Sequence, residues 1–302
     1  VSRECRLTRC LGLGASASPL GLACDPDKGT YALAEAVNVD VVDGRLRSRP
    51  GYVRLGEGGY EALFAHDGDL YAARDGAILR VPAGGQPRVL REGLTPGADV
   101  AFLGVGADVY FANGFENGRI RDGAAEPWGG GRYPGPDRHG RYVAPPAGHL
   151  LAAFAGRIWI ADGALVRFTA GAGLNDWVDA LAGYLPPATG RVRMLRPVAG
   201  GLFVGDAAGV IFAAGTDPKT MTFVRASPVP PLAGSDAALA AGRHDAVAGR
   251  ELTGDAAVWA GRDGVYLGLP SGRVTRLAAA RIPAARARAV AGSGRYLLFL
   301  KS

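Results

Sequence analysis

Lysine is nearly missing from this 302-residue chain. It occurs at Lys28, Lys219 and Lys301, so arginine supplies almost all of the 34 basic residues, against 28 acidic ones, for a formal net charge of +6. An arginine-heavy excess suits bidentate phosphate contact, but codon usage in a GC-rich genome produces the same bias. Spread along the chain, it marks no nucleic-acid-binding domain by itself. Cysteine is scarce too: Cys5, Cys10 and Cys24 all precede residue 25. An odd count at one end excludes the disulfide framework of a small secreted domain. The spacing, with no histidine nearby, does not fit a zinc site, so free thiols are expected. No apolar run approaches the ~20 residues that span a bilayer, and no membrane span is expected. Residues 11–24 follow Arg3, Arg6 and Arg9 as a signal peptide would, but Gly12, Gly14 and Pro19 interrupt the run, so secretion is not expected.

The chemistry of sites is equally thin. The histidines are His66, His139, His149 and His244, with no His-x-x-x-His pair and no neighbouring carboxylate cluster of ligand spacing. His66 and His244 each precede an aspartate in an expected exposed turn. No Gly-x-Ser-x-Gly elbow occurs. Residues 11–17 approach a dinucleotide-binding turn, but no strand precedes them. Asp25, Asp27 and Gly29 echo a calcium loop without its distal glutamate, which leaves a solvated turn. No catalytic residue, metal ion or cofactor is expected.

What the chain has in quantity is turns and short apolar runs, with 47 glycines, 20 prolines and a hydrophobic share of 48%. Residues 196–215 show the pattern: Leu202–Val204, a glycine turn, then Val210–Phe212. Such runs suit short buried strands. The unit recurs roughly every 45 residues, and a four-stranded propeller blade takes about 40–50. Residues 60–92 give four strands joined by His66-Asp67-Gly68, Arg74-Asp75-Gly76 and Pro82–Gly85, an antiparallel meander. Further sets lie at 98–123, 150–169, 192–225 and 254–277. Residues 124–147 and 226–248 read as insertions, with one helical turn at Ala237–Ala241.

Leu70, Val109, Ile158, Leu202, Val258 and Tyr296 mark the second strand of each set. The last set, 286–300, has two strands, and the hairpin 36–49 around Asp43-Gly44 has no set of its own. Pairing the two would remove open edges. The expectation is an all-β propeller of about six four-stranded blades, one closed by N- and C-terminal strands, over 34–302, behind an N-terminal arm at 1–33. Trp159 and Trp259 fall inside strands and belong to the core. Trp128 and Trp177 fall in or near loops and are candidates for surface recognition. Arg45, Arg47 and Arg49 share one strand face and are candidates for DNA or subunit contact, against the ordinary role of blunting an edge.

The stretch Ala34–Tyr52, with Asn-Val-Asp followed by Gly-Arg-Leu-Arg-Ser-Arg-Pro-Gly, resembles the opening of β-propeller virion proteins of tailed bacteriophages. Gly148–Ile160, Gly200–Gly205 with Gly215–Pro218, and Asp263–Gly268 continue the resemblance in order across about 34–300. The resemblance implies a non-enzymatic structural part of the particle, at the tail, nozzle or tail tip, acting as a rigid assembly module. Its partners would be other tail proteins and copies of itself, with DNA passing nearby and the virion as its location. The family brings no catalytic residues, and the arm at 1–30 lies outside the match. The alternative is a receptor- or glycan-binding propeller using Trp128, Trp177 and the 124–147 insertion. A propeller hydrolase or lyase lacks its acid, base and metal constellation.

Overall fold

The computed structural model describes residues 8–13, 21–34, 39–42, 44–49, 51, 59–82, 85–136, 140–171, 173–240, 254–292 and 295–301. Among them there are strands and turns and no α-helix. The arm holds a small sheet of β1 (Arg9–Leu13), β2 (Cys24–Asp25) and β3 (Thr30–Leu33) in the order β1-β3-β2. A hairpin follows, β4 (Val39–Val42) and β5 (Arg45–Ser48).

Five four-stranded antiparallel sheets come next. The first is β6 (Ala62–His66), β7 (Asp69–Arg74), β8 (Ala77–Val81) and β9 (Arg88–Arg91). The second is β10 (Ala101–Val105), β11 (Asp108–Ala112), β12 (Asn117–Arg121) and β13 (Ala124–Glu126). Beyond it β14 (Tyr142–Val143) pairs outside the main layers with β18 (Val178–Asp179). The third sheet is β15 (Leu150–Phe154), β16 (Arg157–Asp162), β17 (Leu165–Phe168) and β19 (Tyr184–Leu185). The fourth is β20 (Met194–Val198), β21 (Gly201–Asp206), β22 (Gly209–Ala214) and β23 (Thr222–Ser227). The fifth is β24 (Ala237–Leu239), β25 (Ala256–Gly261), β26 (Gly264–Gly268) and β27 (Val274–Ala279). A two-stranded sheet ends the chain, β28 (Arg286–Gly292) and β29 (Arg295–Lys301).

Turn chemistry places these strands. Asp67 and Gly68 have φ of 48° and 81°, and Asp75 and Gly76 have 51° and 73°. Two successive positive φ values make the hairpin turn whose twist matches its flanking strands, and Asp-Gly is a preferred pair for it. The second strand of each large sheet then runs through the interior with side chains alternating between faces. Val109 and Phe111 join Tyr71, Ile78 and Ile120 in a core between the first and second sheets. Tyr110, between them in sequence, packs with Trp128, Ile158 and Ile160 toward the third. Trp159 faces Leu195, Leu202 and Val204 of the fourth sheet. Phe203 faces Trp259 and Tyr266 of the fifth. Ala260, Leu232 and Ile282 make a smaller core, with Leu298 of β29 against it. This is propeller-type layering: the all-β expectation holds, the six marker residues all lie in second strands, and Trp159 and Trp259 are fully buried.

Three expectations need correction. The terminal strands do not combine: β4 pairs with β5, and β28 pairs with β29, in separate two-stranded sheets. The hairpin lies beside the arm instead, where the Cys10 amide donates to the Gly44 carbonyl at 2.6 Å. The last sheet is held by the fifth, through the Ala287 amide donating to Ala233 at 2.9 Å and the Tyr296 hydroxyl donating to the Ser235 carbonyl at 2.5 Å. Second, the arm, whose sequence shows no clear periodicity, carries the strands β1–β3. Third, Ala237–Leu239 is strand rather than helical turn, because its pairing with β25 outweighs the helix propensity of alanine. The insertions also supply the missed strands β13, β14 and β24.

Candidate functional site

Arg45 and Arg47 lie on β5 and Arg49 just beyond it, and all three are exposed. Arg49 turns back on its own hairpin, its Nε donating to Asp40 Oδ1 at 3.2 Å. Arg45 and Arg47 thus remain available as a contact surface, and Arg49 is partly engaged. Trp128 is not a surface residue. It is 2% exposed, its indole N–H donates to the Asn175 carbonyl at 2.9 Å, and its ring tilts against Tyr110 at 5.0 Å. The loop that carries it folds inward to fill the space between the second and third sheets. Trp177 is half-buried and meets the edge of Tyr133 at 5.8 Å, while Tyr133 stacks flat on Tyr142 at 3.9 Å. The structure therefore buries Trp128 and groups Trp177 with two tyrosines that sequence reasoning did not single out.

A large concavity lies where the first strands of the successive sheets converge. Residues leading into or lying on β6, β10, β15, β20, β24 and β28 line a cavity of about 1300 Å³. Its walls are apolar where these strands run past it, at Phe64, Phe102, Leu151 and Leu195. Its charge comes from Arg191, Arg193, Arg196, Arg262, Arg286 and Arg288, against Asp99 and Asp236. Arg196 takes Asp236 through Nε at 2.9 Å and Nη2 at 2.6 Å. Arg286 and Arg288 both reach Asp99, and Arg288 Nε also donates to the Glu61 carbonyl at 3.5 Å. Both acids are thus already taken by arginines.

Two Arg-x-Arg pairs deliver most of this charge. Arg191 and Arg193 lead into β20 with Val192 between them, and Arg286 and Arg288 open β28 around Ala287. Val192 and Ala287 are each 1% exposed, so alternation buries the small residue and turns both arginines toward the cavity. The same pattern at Arg45 and Arg47 lies on the hairpin. The pairs at 191/193 and 286/288 were missed because spacing alone does not say which strand is innermost.

The described histidines join neighbouring sheets. His66, at the end of β6 rather than free in a turn, places Nε2 2.8 Å from the Gly106 carbonyl. His149 places Nε2 2.7 Å from the Val192 carbonyl. Burial holds the His149 imidazole below its usual range, and the nearby Arg191 charge pushes the same way. His139 and His244 lie outside the described residues. Asp25 behaves as the solvated turn expected, accepting the amides of Asp27 and Lys28 at 3.1 and 3.2 Å. Among the described residues no group of three or more His, Cys, Asp or Glu side chains could share a metal ion, and no helix is long and apolar enough to cross a membrane.

No protein-family model matches the sequence, and no curated protein matches it. Solved structures do. The extracellular domain of a putative one-component system from B. thetaiotaomicron is 11% identical, with a TM-score of 0.49 over 79% of this chain. The match spans only 30% of that longer chain. The Pan2 WD40 domain of Neurospora crassa is 12% identical, over 74% of this chain and 66% of that one, at a TM-score of 0.46. A gluconolactonase from Xanthomonas campestris is 14% identical, over 77% of this chain and 82% of that one, at 0.46. One of these three is an enzyme and the others are described as domains without a stated reaction.

Proposed function

We propose that the chain is a rigid, non-enzymatic building block of a tailed-phage particle, made in the host cytoplasm and built into the tail, its nozzle or its tip. The observation that carries this reading is the inner cavity, where six arginines face two carboxylates that are already paired. A wall of net positive charge tolerates a passing phosphate backbone without reading its sequence. The ordered motifs at 34–52, 148–160, 200–218 and 263–268, similar to those of virion propellers, support the same reading. The mechanism is geometric. Stacked sheets give a stiff body, and its exposed loops and the hairpin bearing Arg45 and Arg47 meet tail proteins or further copies. The test is mass spectrometry of particles purified from the host that encodes the chain. The expected result is the chain at a fixed multiple of the other tail proteins. Intact particles that lack it overturn the reading.

A second reading is glycan binding at the tail tip, favoured by one observation. Tyr133 and Tyr142 of the inserted segment form an aromatic group with Trp177 of the loop after β17, and aromatic faces are what sugar rings stack on. A glycan array probed with the wild-type chain and Trp177→Ala separates it from the first reading. Binding lost in the variant supports it, and an array without signal removes it.

A further inference from the structure

Most arginines whose side chains are paired meet an acid. Arg80 holds Asp69, Arg121 holds Asp108, Arg141 holds Asp179, and Arg167 holds Asp162, all at 2.5 to 2.8 Å. Arg191, Arg193 and Arg262 depart from this habit. All three line the inner cavity, and among the described residues none of their side chains has an ion pair or hydrogen bond. Arg191 and Arg193 lead into β20, and Arg262 sits in the turn between β25 and β26, so neighbouring sheets present them.

We propose that this side of the cavity is a binding site for a small, multiply charged phosphate-type anion, seated on Arg191, Arg193 and Arg262. The acids of the cavity cannot neutralise these three, because Asp99 is shared by Arg286 and Arg288 and Asp236 is held by Arg196. Like charges gathered in a concave, partly apolar wall focus their field and raise the local concentration of anions. A planar guanidinium binds phosphate oxygens in pairs, which suits arginine to this task.

The backbone that carries the three is fixed. The Val192 amide donates to Gly163 at 2.9 Å, the Arg193 amide to Gly205 at 2.7 Å, and the Arg262 carbonyl accepts from Ile282 at 2.9 Å. A ligand therefore orders three side chains and not a loop. The cavity of about 1300 Å³ exceeds the roughly 300–1,000 Å³ of ordinary small-molecule sites, which leaves room for an organic body on the phosphates. Phe102, Leu151 and Leu195 offer that body an apolar wall. The site is independent of the particle reading, since a propeller outside any virion would bind the same anion.

The probe is inorganic tripolyphosphate, titrated calorimetrically at low ionic strength into the full chain. One saturable site is expected. The double variant Arg191→Ser/Arg262→Ser should weaken it by at least about tenfold, as expected for lost charge-assisted hydrogen bonds. Arg45→Ser/Arg47→Ser, which removes two exposed arginines outside the cavity, should leave it unchanged. Thermal melts of both variants establish that they fold, and the cavity variant should melt at or above wild type because like-charge repulsion is relieved. Non-saturable uptake, or equal binding in the cavity variant, overturns the proposal. So does a single-stranded oligonucleotide that binds tighter than tripolyphosphate and loses affinity with Arg191 and Arg262, because the cavity then serves nucleic acid.

Discussion

His149 links pH to stability through one ring. Burial keeps its imidazole below the usual range while Nε2 serves the Val192 carbonyl. Folding thus favours the neutral form. That contribution is complete above the unfolded value of about 6.5 and is lost as pH falls through the lower folded value. Urea melts should show stability declining from about pH 6.5 downward, and His149→Gln should flatten this slope. The half-buried Asp108 and the buried Asp206, whose affinities for protons are lowered, add their losses only at more acid pH. The two core tryptophans also differ. Trp159 Nε1 donates to the Phe154 carbonyl at 3.0 Å, while the buried Trp259 Nε1 has no partner among the described residues. Replacement by phenylalanine removes a made bond at Trp159 and an unmet donor at Trp259. Urea midpoints should place Trp159→Phe about 1 kcal/mol below Trp259→Phe. Burial of both rings was legible in the sequence, because each sits in an apolar run between turns. The burial of Trp128 was not, since its loop returns to the core through contacts with Tyr110, Ile158, Ile160 and Asn175, distant in sequence.

Strands announced themselves where local and long-range forces agree. Asp67-Gly68 and Asp75-Gly76 adopt the turn that their sequence favours, and β6 to β8 follow from it. β24 is the opposite case. Ala237–Leu239 has weak strand preference and is fixed by its ladder to Ala256–Val258. A single-sequence reading weighs the alanines and cannot weigh the ladder. Ala238 is the exposed residue of this strand. Ala238→Thr should therefore raise stability by about 0.5 kcal/mol in a denaturant melt, since threonine favours strand and disfavours helix. A loss of that size would mean that the segment leans on helical geometry. The cavity arginines were hidden for a related reason. Arg-x-Arg is visible in the sequence at 45/47, 191/193 and 286/288, but only sheet order tells which copies face inward.

The whole molecule depends on its last sheet without the terminal pairing that the sequence suggested. β28 and β29 cover the core of Leu232, Ala260 and Ile282, with Leu298 packed on it and Ala287 bridged to Ala233. Removal of 286–302 uncovers that core and frees Asp99 from Arg286 and Arg288. The truncated chain should melt several degrees lower and self-associate in size-exclusion chromatography, through newly exposed apolar surface. An unchanged, monomeric product would mean that the fifth sheet is sufficient as an end.

The five cores have a mechanical consequence. Each sits between two consecutive sheets, so each is shared by neighbours in sequence as well as in space. The cores are in this respect an array of nearest-neighbour contacts, with the polar links from Arg286 and Arg288 to Asp99 and Glu61 joining the last sheet to the start of the series. A steady pull on the two ends of the chain would load the outermost contacts first, and each sheet that gives way would bare only the core behind it. Stretched in an optical trap, the protein should lengthen in a staircase of sheet-sized increments, with the segment around β16, β21 and β25 yielding last.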